Sequence, residues 1–385
     1  MHARTATDEP QSASAAIAAV VVSVVAVAGF LLLPMLVAAA TSSLRLTAGQ
    51  IGVMSASLML GSTLASALAV FWVRRFEWRI ASLVLLAGLS ASCALAAVSH
   101  QFTGFLLALA AAGLFGGSAY SLALTMLSDR RDPARWFGIS VAAQVGFQVV
   151  GLWLGPAVIA AAGSPGLMGL FAALALAAIA TVRYLPRRSE TSAEVLSATS
   201  SSLLARGAVL LGCLLFFFNV GCYWTYVEVI GTSWGIAPQT LGTVLAIGVS
   251  AGILGAACAA KFGERHGLRA PLLIGAILTV VAALALRQPT GVWLFCAGVA
   301  CYNFAWNYSL SYQYTAVNRI DPGGRSVAFA PAFHGAGGAI GAAVAAAGVD
   351  ALGLQAVPWL TSVAAILSLG LFAVALRART GSPVE

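Results

Sequence analysis

Apolar residues along this chain gather into twelve long stretches, near 15–40, 50–72, 80–99, 102–127, 137–162, 165–183, 207–231, 239–260, 270–287, 290–316, 327–350 and 355–376. Each runs for about 18 to 27 residues, which at about 1.5 Å of helical rise per residue matches a hydrocarbon core of roughly 30 Å. Inside lipid no water meets a bare backbone, so runs of this length must satisfy their own peptide groups as helices. The pattern predicts an all-α membrane protein with twelve transmembrane helices. Six stretches lie on each side of a polar, Ser-rich segment at 184–206. The expected organisation is a tail at 1–14, a six-helix bundle at 15–183, a linker at 184–206, a second bundle at 207–377 and a tail at 378–385.

The two halves repeat one another. Gly52, Arg75, Arg79 and Gly151 return 190 residues later as Gly242, Arg265, Arg269 and Gly341. Tyr120-Ser121-Leu122, Arg130 and Asp132-Pro133 return as Tyr308-Ser309-Leu310, Arg319 and Asp321-Pro322, at an offset of 188 to 189. A unit this long is a duplicated bundle rather than a solenoid repeat. In an apolar chain such a duplication points to a secondary transporter whose halves rock about a shared central site.

Composition supports the membrane reading: 60% of residues are hydrophobic, 8% are charged, and mean hydropathy is +0.94. A soluble domain carries about 25% charged residues. Of the 20 Lys and Arg, 18 fall at the N-terminus, in alternate loops, in the linker and at the C-terminus; only Arg45 and Arg287 fall in the other loops. Basic loops stay cytoplasmic, so both termini are expected inside, in the inner membrane of the cell. The net charge of +8 is therefore a topology signal and not a nucleic-acid footprint. The first stretch, of about 26 residues, exceeds the roughly 7 to 15 of a cleaved signal's core and is read as the first helix. The six cysteines all lie inside predicted spans, without metal spacing, and read as small packing residues.

Twelve spans in two halves, a cytoplasmic linker and an Arg-rich loop after the second helix of each half resemble the major facilitator superfamily, over essentially the whole chain. Glu264-Arg265-His266-Gly267-Leu268-Arg269 is similar to the superfamily's Asp-Arg-x-Gly-Arg-Arg loop; Arg74-Arg75-Phe76-Glu77-Trp78-Arg79 is its counterpart without the Asp and Gly. The resemblance implies a charge-paired cytoplasmic latch at Glu264 and Arg265, and more weakly at Arg75. Gly151, Gly155 and Pro156 in the fifth stretch are similar to the tail of a motif of exporting antiporters, with Ala142, Ile159 and Ala160 standing where that motif has Gly. Close helix approach at the glycines and a bend at the proline explain the same residues structurally. By resemblance, helices one, four, seven and ten surround the cavity.

Polar and aromatic side chains in lipid-embedded helices mark the protein interior. Tyr223, Trp224, Tyr226, Tyr302, Trp306, Tyr308, Tyr312 and Tyr314 concentrate in stretches seven and ten. Counting helical rise from each span's midpoint puts Asn219, Asn303 and Gln148 close to the midplane. Asn303 and Asn307, Tyr302 and Trp306, and Gln144 and Gln148 each share a face at i, i+4. Asn219, Tyr223, Trp224, Tyr302, Asn303, Trp306, Asn307, Tyr120 and Gln148 are thus the expected substrate contacts. An equally good reading of each amide is a bond to a neighbouring helix.

Glu228 is the one acidic residue well inside a span, about 13 Å outward of the midplane, and is read as an outer-gate or proton-carrying group or as a solvated rim residue. His334, about 7 Å to the cytoplasmic side, takes the repeat position of Gln144 and suits a proton-linked step or a neutral hydrogen bond. No Lys or Arg lies deep in a span, which argues against an anionic substrate and for a neutral amphipathic solute or an organic cation. The expected function is alternating-access transport of a small organic solute by a monomer in contact with membrane lipid, leaning to proton-coupled export. Uptake of a sugar-like nutrient and a non-transporting membrane sensor are the alternatives. No catalytic or phosphate-binding motif occurs, so no enzyme, metal or cofactor is expected.

Overall fold

The computed structural model describes residues 13–130, 133–188, 202–263, 265, 267–289, 291–320 and 325–380. Among these there are thirteen α-helices and no strand: α1 (Ala13–Ala26), α2 (Ala28–Leu31), α3 (Leu33–Leu44), α4 (Ala48–Trp72), α5 (Trp78–Val98), α6 (Phe102–Ser128), α7 (Pro133–Ala178), α8 (Leu203–Ser233), α9 (Pro238–Phe262), α10 (Arg269–Ala285), α11 (Val292–Ile320), α12 (Arg325–Leu352) and α13 (Ala356–Thr380).

The twelve apolar stretches map onto these helices with two departures. The first stretch is broken into α1, α2 and α3, at Val27 (φ −106°, ψ 8°) and Leu32 (φ −101°, ψ 24°). Pro34 explains the second break: it has no N–H to offer Phe30, and its ring crowds that carbonyl. The fifth and sixth stretches run together as α7, whose 46 residues would be about 69 Å of straight helix, more than two bilayer cores. Gly163 divides it. At φ 60° and ψ −155° it adopts a backbone that only glycine takes up readily, and the chain turns there between two spans.

Among the described residues eight helices are each long and apolar enough to cross a membrane. The 29-residue α11 is not among them, because Asn303, Asn307, Gln313 and four tyrosines dilute its apolar side chains. That polarity is where a functional surface is to be sought.

The chain forms two compact units: the described residues of Met1–Leu32, Ser57–Gln148 and Val158–Ala193, and those of Leu33–Ala56, Val149–Ala157 and Glu194–Glu385. In the first unit, Val22, Trp78, Leu86, Leu122, Met126 and Val182 make a buried core. Trp78 ties the loop after α4 to the segment after α7, its backbone N–H donating to Arg187 O (2.8 Å) and its indole to Val73 O (2.7 Å).

In the second unit, Val209, Cys213, Leu272, Tyr308, Val317 and Phe372 form the core. Helices α8 and α12 touch backbone to backbone: a Cβ on Gly337 would overlap Leu214 O, and one on Gly341 would overlap Phe218 O. The pieces from early in the chain belong here by direct contact. Tyr226 Oη donates to Ala48 O at 2.6 Å. A Cβ on Gly52 would lie 2.7 Å from Ala342 O, one on Gly155 2.7 Å from Met35 Sδ, and one on Gly242 2.6 Å from both Leu152 O and Pro156 Cγ.

Candidate functional site

Helix α8 places Asn219, Tyr223 and Tyr226 at i, i+4 and i+7, on one face, all buried. Helix α11 sets Tyr302 and Trp306 at i, i+4 opposite them. Tyr302 Oη donates to Asn219 Oδ1 at 2.6 Å, while Asn219 Nδ2 donates to Phe216 O within its own helix. The Tyr302 ring stacks on Tyr223 with centroids 3.6 Å apart and planes 5° from parallel. A single amide thus holds a two-ring stack in register.

The ring surface continues beyond that stack. Trp306 meets Trp224 edge-on at 6.2 Å and Phe217 edge-on at 6.2 Å. Phe217 in turn stacks on His334 of α12 at 4.1 Å and 19°. His334 Nδ1 lies 3.4 Å from Tyr314 Oη of α11; its Nε2 is buried without a hydrogen-bond partner among the described residues. The i, i+4 reading did not find Phe217, which stands in a run of three phenylalanines whose packing partner no local pattern reveals.

Several expected contacts have other work. Asn303 Nδ2 donates back to Val299 O (2.9 Å) and Asn307 Nδ2 to Asn303 O (3.1 Å), so each amide gives one N–H to a carbonyl of its own helix and keeps its other N–H and its oxygen for another partner. Glu228 is half-buried one and a half turns beyond Tyr223, where Oε1 accepts from Thr232 Oγ1 (2.9 Å).

In the first unit a hydroxyl–amide network occupies the repeat position of His334. Gln144 Nε2 donates to Ser140 Oγ (3.0 Å), Ser140 Oγ is 2.7 Å from Ser23 Oγ of α1, and the Tyr120 hydroxyl of α6 is within hydrogen-bonding reach of Gln144. Gln148 Nε2 donates to Leu31 O at 2.9 Å, satisfying a carbonyl at the break before α3. Ser23 and Ser140 were missed; Ser140 stands one turn before Gln144 on its face, which is the signal for it.

Gly151 is half-buried, and Gly155 and Pro156 pack on Met35 and Gly242. Arg265 is exposed in the turn after α9, and Glu264 lies outside the described residues. In the first half the loop's ion pair is made by a neighbour of the expected Arg75: Arg74 grips Asp129 at the end of α6 with two bonds, of 2.9 and 3.2 Å. Asp129 at the helix end had no loop motif to announce it.

A family model described as Major Facilitator Superfamily matches residues 18–218 and 209–385. The chain belongs to the major facilitator superfamily. It is a membrane-spanning transporter, and such proteins bind small-molecule substrates. No curated protein matches it by sequence. Among solved structures it is similar to the nucleoside transporter NupG, at 14% identity and TM-score 0.72 over 95% of this chain and 99% of that one. It is similar to a D-xylose–proton symporter at 14% identity and TM-score 0.72 over 92% and 96%. It is also similar to a bacterial homologue of the human lysosomal transporter Spinster, at 13% identity and TM-score 0.65 over 95% of each chain. At these identities the likeness is one of fold, and it accords with the twelve-helix superfamily architecture.

Proposed function

We propose that this superfamily member carries a small, neutral, ring- or hydroxyl-bearing organic solute across the cell's inner membrane by alternating access, with both termini cytoplasmic. The observation that supports this best is the uncharged surface of α8 and α11: Asn219 bonded to Tyr302, Tyr302 stacked on Tyr223, and Trp224 against Trp306. Amide oxygens and hydroxyls offer hydrogen bonds, and the rings offer flat apolar faces. Among the described residues no Lys or Arg lies on the stretches of α8 and α11 that carry these side chains, to balance a carboxylate or phosphate.

Proton coupling fits His334, whose ring is held by Phe217 and Tyr314 with Nε2 left unpartnered, and Glu228, whose carboxylate keeps one oxygen free of Thr232. Export was expected from Gly151, Gly155 and Pro156, but Gly155 and Pro156 are fully explained by packing on Met35 and Gly242, so the motif carries no argument for direction. Uptake is the second reading, favoured by the nucleoside transporter and the xylose–proton symporter that share this fold.

A thermal-shift screen of purified protein against neutral, cationic and anionic solutes tests the substrate class, since a ligand stabilises the state that binds it. Neutral nucleosides, sugars or aromatic amphipaths should raise the melting temperature. Counterflow in proteoliposomes then confirms transport, with imposed proton gradients of either sign reading the direction. Stabilisation by organic anions alone would sink the proposal.

A further inference from the structure

The duplication singles out a position where the two halves use the same helix differently. At the 188-residue offset, Ser309 and Gln313 of α11 correspond to Ser121 and Thr125 of α6. In α6 both hydroxyls bond their own helix, Ser121 Oγ donating to Gly117 O (2.9 Å) and lying 3.4 Å from Ser66 Oγ of α4, and Thr125 Oγ1 donating to Ser121 O (2.8 Å). In α11, Ser309 and Gln313 are only 3% and 2% exposed, and neither Ser309 Oγ nor Gln313 Oε1 has a hydrogen-bond partner among the described residues. Two such buried groups one turn apart are unusual, since buried polar atoms are nearly always paired.

Both side chains line a cavity inside the second unit, walled also by Phe216 of α8, Thr279 of α10 and Ser368 and Phe372 of α13. The space open to the centre of a water molecule is about 20 Å³. About 10 to 15 Å³ suffices for one water. The hydrogen-bonding character of the wall narrows the occupant. Thr279 has given its proton to Gly275 O (2.9 Å) and Ser368 to Gly212 O (2.8 Å), so each retains only lone pairs. Gln313 Oε1 is an acceptor, and the Ser309 hydroxyl and the Gln313 amide N–H groups are the donors left on the wall. A wall of this size that mixes acceptors with hydroxyl and amide donors suits a small molecule that both gives and accepts hydrogen bonds, as water does. No carboxylate lines it, and a bound metal cation would need about six oxygens.

We infer that the Ser309–Gln313 cavity is a binding site for one structural water, which donates to Gln313 Oε1 and bonds the Ser309 hydroxyl, and that the second bundle carries this water where the first bundle uses its own backbone. Gly275 keeps the place open, because a Cβ there would overlap Ser309 Oγ. The site is separate from the ring surface and stands whether or not the solute proposed above is the one carried.

The test is a map of the full-length protein in lipid nanodiscs at a resolution that shows its other internal waters. A single peak within hydrogen-bonding distance of both Ser309 Oγ and Gln313 Oε1 is expected, and Gln313→Leu should abolish it. If Gln313→Leu does not fold, Ser309→Ala should leave a peak bonded to Gln313 alone. A wild-type map without that peak, a Gln313 side chain turned to bond Ser309 directly, or a peak with five or more oxygen ligands would overturn the inference. So would a peak unchanged in Gln313→Leu.

Discussion

Tyr302→Phe removes one oxygen atom and leaves the ring stack on Tyr223 in place, so it isolates the bond that links α11 to α8. The bond is 2.6 Å long and both partners are 1% exposed. Asn219 Nδ2 is already committed to Phe216 O, so the substitution strips Asn219 Oδ1 of its one recorded donor. Inter-helical hydrogen bonds in membranes average about 0.6 kcal/mol and reach about 1.7. An acceptor left unpaired in a buried site costs about 1 to 3 kcal/mol. The overlap of these ranges puts the effect near 1 kcal/mol, and if it falls wholly on the arrangement that receives solute, apparent affinity drops about fivefold. Tyr302→Leu also forfeits the stack, a further 0.5 to 1.5 kcal/mol or so. The assay pairs melting temperature with counterflow KM in proteoliposomes for Tyr302→Phe, Asn219→Ala, the double variant and Tyr302→Leu. A coupling energy of about 0.5 kcal/mol or more between the first two is expected. Wild-type melting and KM in Tyr302→Phe, or simple additivity in the double variant, would refute the idea that this bond organises the site.

Other substitutions probe the remaining parts. Gly341→Ala drives a methyl into Phe218 O and should cost about 1 to 3 kcal/mol in detergent stability, whereas Gly207→Ala, with nothing within 4 Å of its Cβ, should be neutral or stabilising; equal melting points would reject the α8–α12 seam as a tight contact. His334→Gln or Glu228→Gln should abolish accumulation driven by a proton gradient while preserving counterflow, and coupling that survives in both variants dismisses these two residues as proton carriers. Tyr226→Phe loses the bond to Ala48 O, and Gly52→Ala crowds Tyr226 Oη at 2.8 Å, so both should loosen residues 33–56 on α8 and α12. Maleimide labelling of the Cys222 peptide, buried at 0% exposure, should then quicken in both, most in Gly52→Ala; unchanged labelling would show that this contact does not hold residues 33–56 in place.

The helices were legible because hydrophobic run length and membrane thickness leave little freedom. What escaped was decided by single residues whose effect depends on a partner far along the chain. The fifth and sixth stretches were expected as separate spans, 137–162 and 165–183, and Gly163 between them makes the turn with no polar loop, so the two run together as α7. The first span looked unbroken because Pro34 sits among apolar residues, and its consequence shows only where Gln148, 117 positions on, donates to Leu31 O. That contact gives Gln148 a structural role beside the substrate contact expected of it: one amide N–H holds the helix break, and its other N–H and its oxygen remain for another partner.

The same distinction separates the parts of the candidate site. Pairs within one helix, such as Tyr302 with Trp306, follow from a period of 3.6 residues and can be read directly. The bond from Tyr302 to Asn219 spans 83 positions and the stack of Phe217 on His334 spans 117, and periodicity says nothing about which faces meet. The duplication supplies part of the missing information, since it equates helices and therefore faces. Used that way it reveals a division of labour. Gln144 sits in a network of hydroxyls with Ser140 and Ser23, whereas its counterpart His334 sits between Phe217 and Tyr314. One ancestral position thus became a polar tie between α1 and α7 in one half and a ring-held imidazole in the other. A group moves the balance between two arrangements only if it binds its proton more tightly in one of them, and of these two equivalent positions only the imidazole of His334, not the amide of Gln144, can bind one.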